Sequence, residues 1–202
     1  MGLRERKKEK TRLALLDAAL DLFVEQGYDS TTVDQIAGSV DVSPRTFFRY
    51  FTSKDHLVLW YHDQGEETML ETLADRPPGE APFESMTHAL RAVLRDMERS
   101  TPVDRERFLK MRRLLDRNPQ LADHAIGRSM ETERRLIEAV AARRGVDPGA
   151  DPLTHLVVTF AMSAMRVGFE CPTDRGDIRQ MVRRIEETLQ LVERSLRPGW
   201  DA

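Results

Sequence analysis

The stretch from Asp41 to Leu57, DVSPRTFFRYFTSKDHL, sets four aromatic rings and three Lys/Arg side chains into seventeen residues. A segment this short has no core of its own. Ser43 is an N-cap residue and Pro44 falls at the first helical position, where a missing N–H costs nothing. Asp41, just upstream, tolerates the left-handed conformation that a tight turn demands. The predicted helix, Pro44 to Phe51, has only two turns. Phe47 and Phe51 lie four apart on one face, which leaves Arg45, Thr46, Phe48, Arg49 and Tyr50 pointing elsewhere. Those outward side chains need a partner outside the chain.

Working upstream, Val33 to Ser39 reads as a short helix after the capping cluster Asp29-Ser30-Thr31-Thr32, with Ile36 and Ala37 inward. Before it, Lys10 to Gln26 reads as a longer helix whose inward stripe is Leu13, Leu16, Leu20 and Phe23, stopped by Gly27. Two short helices joined by a tight turn behind a bracing helix form a helix-turn-helix. Arg and Thr can read base edges in a major groove, and Tyr hydroxyl and Lys ammonium groups can hold phosphates. For the cationic run Arg4 to Arg12 taken alone, plain solvation is the better account.

The charge distribution agrees. The chain has 202 residues and a net charge of -3, but residues 1–12 hold six Lys/Arg against two acids, 13–44 hold six acids and no base, and 45–54 hold three bases and no acid. The first 60 residues are neutral overall, and the rest carries the whole deficit. A cationic site on an otherwise acidic molecule orients a polyanion toward one face. The amino terminus, MGLRERKKEKTR, is charged where a secretory signal needs an apolar run, so the expected location is the cytoplasm, with no membrane partner. The lone Cys171 permits no internal disulfide. The histidines at 56, 62, 88, 124 and 155 contain no i, i+4 pair, and there is no GxxxxGK[ST], GxSxG or HExxH, so an enzyme, a cofactor or a metal has no residues to stand on.

Downstream, apolar positions keep recurring at three and four, and the reading is all-α with about nine helices. A fourth helix is predicted from Lys54 to Asp75, ended by RPPGEAP, followed by helices near 83–100, 104–117, 119–144, 152–170 and 176–196. The boundaries rest on Pro102 with Asp104, Asn118-Pro119, Gly145 with Asp151-Pro152, then Cys171-Pro172 and Gly176.

From Arg12 to Leu57, through RLALLDAALDLFVEQGYDSTTVDQIA, VSPRTFFRYFTSK and HL, the chain resembles the amino-terminal domain of TetR-type transcriptional regulators. It departs at Asp41, where many relatives have Gly. The resemblance implies a DNA-binding domain at 1–53, a ligand-binding and dimerisation domain at 54–202, and a homodimer on double-stranded operator DNA, with repression relieved by a small-molecule effector. Carried residue by residue, it implies that Thr32 caps its helix against a phosphate and that Ser43, Tyr50 and Lys54 hold the DNA backbone. Arg45 and Thr46 would read bases, Phe48 would meet a thymine methyl or a sugar, and Arg49 a phosphate.

The body speaks through its apolar residues. Ile178, Val182, Ile185, Leu189, Val192 and Leu196 repeat at 4, 3, 4, 3, 4, a heptad-like seam suited to self-association through the last two helices or to an internal core. Methionine lines irregular apolar cavities and equally fills plain cores. On that ground Met86, Phe108, Met111, Arg112, Met130, Phe160, Met162 and Met165 are the candidate effector contacts, with His88, His155 and Arg166 as further polar anchors. The alternative reading is a small-molecule carrier or enzyme with a vestigial helix-turn-helix, and an interaction-only helical protein comes third.

Overall fold

The computed structural model describes residues 2–170 and 177–196, which form ten helices and no strand among them. In chain order these are α1 (Leu3–Gln26), α2 (Val33–Ser39), α3 (Pro44–Phe48), α4 (Lys54–Val58), α5 (Trp60–Asp75), α6 (Pro82–Arg99), α7 (Pro102–Arg117), α8 (Pro119–Arg144), α9 (Pro152–Glu170) and α10 (Ile178–Ser195). Prolines open α3, α6, α7, α8 and α9, the position where their missing N–H is harmless. The expected boundary at Cys171-Pro172 and Gly176 lies outside the described residues. No described helix is long and apolar enough to cross a membrane.

Three boundaries differ from the expectation by more than two residues. The first helix starts at Leu3 rather than Lys10, because Arg, Lys and Glu are good helix formers and nothing after Gly2 breaks the run. The third helix ends at Phe48 rather than Phe51, as Arg49 and Tyr50 donate to Thr46 O and Phe47 O in tighter three-residue turns. The predicted helix Lys54 to Asp75 is two helices that meet at Leu59, whose ψ is 5°. Leu57, Val58 and Leu59 are all buried, and three consecutive residues sweep about 200° of a straight helix, so a bend is needed to point all three inward.

The chain divides into two compact units, residues 1–61 with 102–126 and residues 62–101 with 127–202. The expected functional boundary between 53 and 54 falls inside the first. In that first unit Leu16, Leu20 and Phe23 of α1 join Ile36, Ala37, Phe47 and Phe51 in one core. Leu15 and Ala19 are buried as well, since α7 packs along α1 and adds Met111 and Leu114 to the core. Arg107 fixes that packing by donating to Asp17 Oδ2 at 2.7 Å, as does Lys110 to Asp21 at 2.7 Å.

The second unit packs α9 against α6 and α10. Ile178, Val182, Ile185 and Leu189 face this interior, so the heptad-like seam of α10 is buried within the protomer. Arg91 of α6 ties down α10 through Glu186, at 2.7 Å, and Glu193, at 3.2 Å. Arg143 of α8 caps the end of α5 by donating to Leu73 O, Arg76 O and Pro77 O.

Along α5 and α8 runs a polar seam. Glu66 is 2% exposed and accepts from Thr132 and Arg135, while Arg128 donates to Asp63 at 2.7 Å. His62 stands at its end, with Nδ1 buried and lacking a hydrogen-bond partner. Burial pushes this imidazole below its ordinary value and Arg128 adds to the effect, against the opposing pull of Asp63 and Glu66. The unfolded chain therefore takes up a proton as pH falls through about 6.5 while the folded chain resists, so this contribution is complete above that pH and is lost below it. His62→Gln is expected to lose less stability than the parent between about pH 7.5 and about pH 5.5 in urea unfolding. Equal losses would show that His62 titrates normally in the fold.

Candidate nucleic-acid interface

The turn between α2 and α3 is built as the sequence suggests. Asp41 has φ of 54°, in the left-handed region, where the short carboxylate side chain is tolerated better than most. Thr32 caps α2: its Oγ1 accepts from Gln35 N at 3.2 Å, and Gln35 Oε1 accepts from Thr32 N at 2.9 Å, a reciprocal capping box. Ser43 caps α3 by accepting from Thr46 N at 3.2 Å, and its hydroxyl lies 3.1 Å from that of Thr46.

These caps leave α3 with two unlike sides. Phe47 and Phe51 are at most 1% exposed, with ring centroids 5.7 Å apart. Pro44, Arg45, Phe48 and Arg49 are exposed, Phe48 at 55% despite its apolar ring. Thr46 and Tyr50 flank this face half-buried. Arg49 lies over the Tyr50 ring, 5.0 Å from its centroid, and donates to the Tyr50 hydroxyl at 3.3 Å. A fork of donors, an aromatic face and hydroxyls on one short projecting helix are groups that recognise base edges, sugars and phosphates.

Lys54 is placed differently from its neighbours. Its Nζ donates to Tyr28 O at 2.9 Å and to Thr31 O at 2.7 Å, and sits 4.4 Å from the Tyr28 ring centroid. Tyr28 in turn donates its hydroxyl to Asp55, whose other oxygen lies 3.2 Å from Nδ1 of His124. Gln26 braces the same turn by donating to Thr31 Oγ1 and to Gln35 Oε1. Sequence reading missed Tyr28, Gln26, Gln35 and His124. The Thr32-to-Gln35 spacing carries a capping-box signal that would have found Gln35, whereas nothing in the sequence couples His124 to Asp55.

The candidate effector contacts do not fall in one place. Met86 is buried in the core of the second unit, against which Phe160, Met162 and Met165 pack. Met111 and Phe108 belong with the core of the first unit. Arg112 is half-buried and Met130 is 68% exposed. His88 lies 3.7 Å from Glu80, His155 pairs with Pro148 O at 2.8 Å, and Arg166 lies 3.5 Å from Glu170. None of them lines the open groove of about 520 Å³ between α6 and α10, which has Leu94 and Val182 among arginine and glutamate side chains. Thr87, buried in α6 with a hydroxyl that lacks a hydrogen-bond partner, is a polar group that sequence reading did not single out.

A short helix seated by two phenylalanines on a bracing helix, with cationic and aromatic groups turned outward, defines a helix-turn-helix DNA-binding protein. The pattern of the bacterial regulatory proteins of the tetR family matches residues 15–59, and that of the MftR C-terminal domain matches residues 81–197. The chain belongs to the TetR family of transcriptional regulators, and DNA binding in the regulation of transcription is its function class. It is 44% identical to the HTH-type transcriptional regulator TcmR of Streptomyces glaucescens over 169 residues, 82% of this chain and 74% of that protein. It is 26% identical to the putative mycofactocin biosynthesis transcriptional regulator MftR of Mycobacterium tuberculosis, over 69% of each chain. In fold it is similar to NalD, the secondary repressor of the MexAB-OprM multidrug efflux pump of Pseudomonas aeruginosa, with a TM-score of 0.54 at 23% identity over 95% of this chain and 99% of that one.

Proposed function

We propose that the protein is a ligand-responsive repressor that binds a palindromic operator as a homodimer and is released by a small apolar or amphipathic effector, acting in the cytoplasm with residues 1–53 as head and 54–202 as body. The observation that carries this reading is the outward face of α3. Arg45 and Thr46 read bases, Phe48 meets a thymine methyl or a sugar, and Arg49, Tyr50, Ser43 and Thr32 hold the backbone. The effector lies against the methionine-rich apolar interior of the body, where Met86, Phe160, Met162 and Met165 come together. It binds the DNA-incompetent state more tightly, since equal affinity for both states shifts nothing. Selection from a randomised duplex pool tests the operator directly. An inverted repeat with half-sites about one helical turn apart, or a multiple of it, supports a two-fold dimer, and enrichment of no motif refutes the reading.

For the dimer, the buried seam of α10 leaves the other side of α9 as the face for a second copy. Leu156 is 47% exposed and Val167 38% exposed, about three helical turns apart on one stripe. Leu156→Glu with Val167→Glu is expected to give a monomer in light scattering, because two charges enter a seam that association desolvates. An unchanged dimer would remove this face from the account. Charges at Val182 and Leu189 are a poorer test, because both side chains sit in the protomer core.

A further inference from the structure

Helix α3 is too short to hold its own position. It depends on α2, and α2 depends on the turn from Gly27 to Thr32 that leads into it. That turn is tied down from α4. Lys54 gathers the carbonyls of Tyr28 and Thr31 onto one ammonium, with the Tyr28 ring against it. The next residue, Asp55, takes the Tyr28 hydroxyl on one oxygen and faces His124 with the other. Tyr28 is thus held by its carbonyl, its ring and its hydroxyl at once. Thr31, whose carbonyl Lys54 holds, is 1% exposed and donates its own hydroxyl to Gly27 O at 2.8 Å.

We propose that Tyr28, Lys54, Asp55 and His124 form a positioning cluster for DNA binding, in which Lys54 acts on affinity through the turn between α1 and α2 instead of by holding a phosphate. His124, on α8 and far outside the helix-turn-helix in sequence, is part of the same cluster. The inference rests on the DNA-binding reading of α3. It departs from the phosphate contact that the family resemblance implies for Lys54, because two of three ammonium donors already have carbonyl partners. It also gives α8 a stake in the head, since residues 119–126 belong to the first unit and the rest of that helix to the second.

The test titrates the duplex that the parent chain selects from a randomised pool, over a salt series, with Lys54→Met, Tyr28→Phe, His124→Ala and the Lys54→Met/Tyr28→Phe pair. A positioning role predicts that Lys54→Met weakens binding about tenfold, the weight of a charge-assisted hydrogen bond, with the parent's salt slope retained. It also predicts that the pair loses less than the sum of its single variants, since both act on one turn. A slope shallower by about 0.9 per subunit is the mark of a lost phosphate contact and overturns the proposal. So do additive losses, or an unchanged affinity in Lys54→Met. Circular dichroism monitors the fold. If Lys54→Met does not fold, Tyr28→Phe and His124→Ala decide, each removing one contact: losses of about threefold support the cluster, and unchanged affinity in both overturns it. A parent chain that selects no duplex refutes the DNA-binding reading itself, an outcome distinct from a changed slope in a variant of a parent that binds.

Discussion

Gly168→Val is expected to destabilise the α9–α10 pair by more than about 3 kcal/mol. A Cβ at Gly168 would lie 2.6 Å from both Cα and Cγ1 of Ile185 and 2.9 Å from its backbone nitrogen. The obstacle is mostly backbone, which no rotamer change can clear. Two opposing terms can be compared. Replacing a helical glycine by another residue returns roughly 0.5–1 kcal/mol of backbone entropy, and less for a β-branched one. Forcing two helices apart forfeits the contacts of Ile185, Val182 and Leu189, each of them a buried aliphatic group. The clash wins, and even Gly168→Ala is expected to lose stability. Urea unfolding gives the measurement, and a neutral Gly168→Ala would mean that α9 and α10 pack less closely than described.

Glu66→Ala is expected to cost about 3 kcal/mol by a different route. The carboxylate is buried between Thr132, Arg135 and Arg128, so its loss strands a buried hydroxyl and removes the anion that faces two guanidinium groups. The effect is held to the lower part of the range for broken buried pairs by two circumstances. Arg128 keeps Asp63 at 2.7 Å, and the Arg135 side chain is 45% exposed and can turn to water. Glu66→Met together with Thr132→Val removes the polar partners on both sides and is expected to recover most of the loss. Denaturant midpoints of the two variants decide it. If the pair of changes is as damaging as Glu66→Ala, the seam along α5 and α8 is needed for its charges and not merely compensated.

These predictions mark where the sequence was silent. Periodicity showed that one stripe of α10 is apolar, but the same pattern fits a partner helix in the protomer or in a second copy, and only packing shows that Val182 and Leu189 turn inward. Glu66 sits in the charged run DQGEE, which reads as a solvated face until Thr132 and Arg135 are brought over it. The bend at Leu59 has no breaker residue, because its cause is three adjacent side chains seeking one core. Likewise no local signal joins α7 to α1, since Arg107 and Asp17 lie 90 residues apart. What was legible is the part governed by short-range chemistry. Asp41 in the turn, Ser43 and Pro44 at the start of α3, and the inward pair Phe47 and Phe51 all act within one or two helical turns. Lys54 shows the limit of that kind of reading: its place at the start of α4 was visible, and its partners at Tyr28 and Thr31 were not.

The exposed face of α3 is expected to read DNA sequence, with the Arg45 guanidinium as the base-reading fork. The measurement is a titration of Arg45→Ala and the parent chain against the selected duplex and every single-base variant of one half-site. The expected result is a loss of about 1–3 kcal/mol for Arg45→Ala on the selected duplex, with preference relaxed at one base pair of each half-site and retained at the others, since a guanidinium fork is matched to one guanine edge. A uniform loss across all variants, with every base preference intact, would contradict it and make Arg45 a backbone clamp.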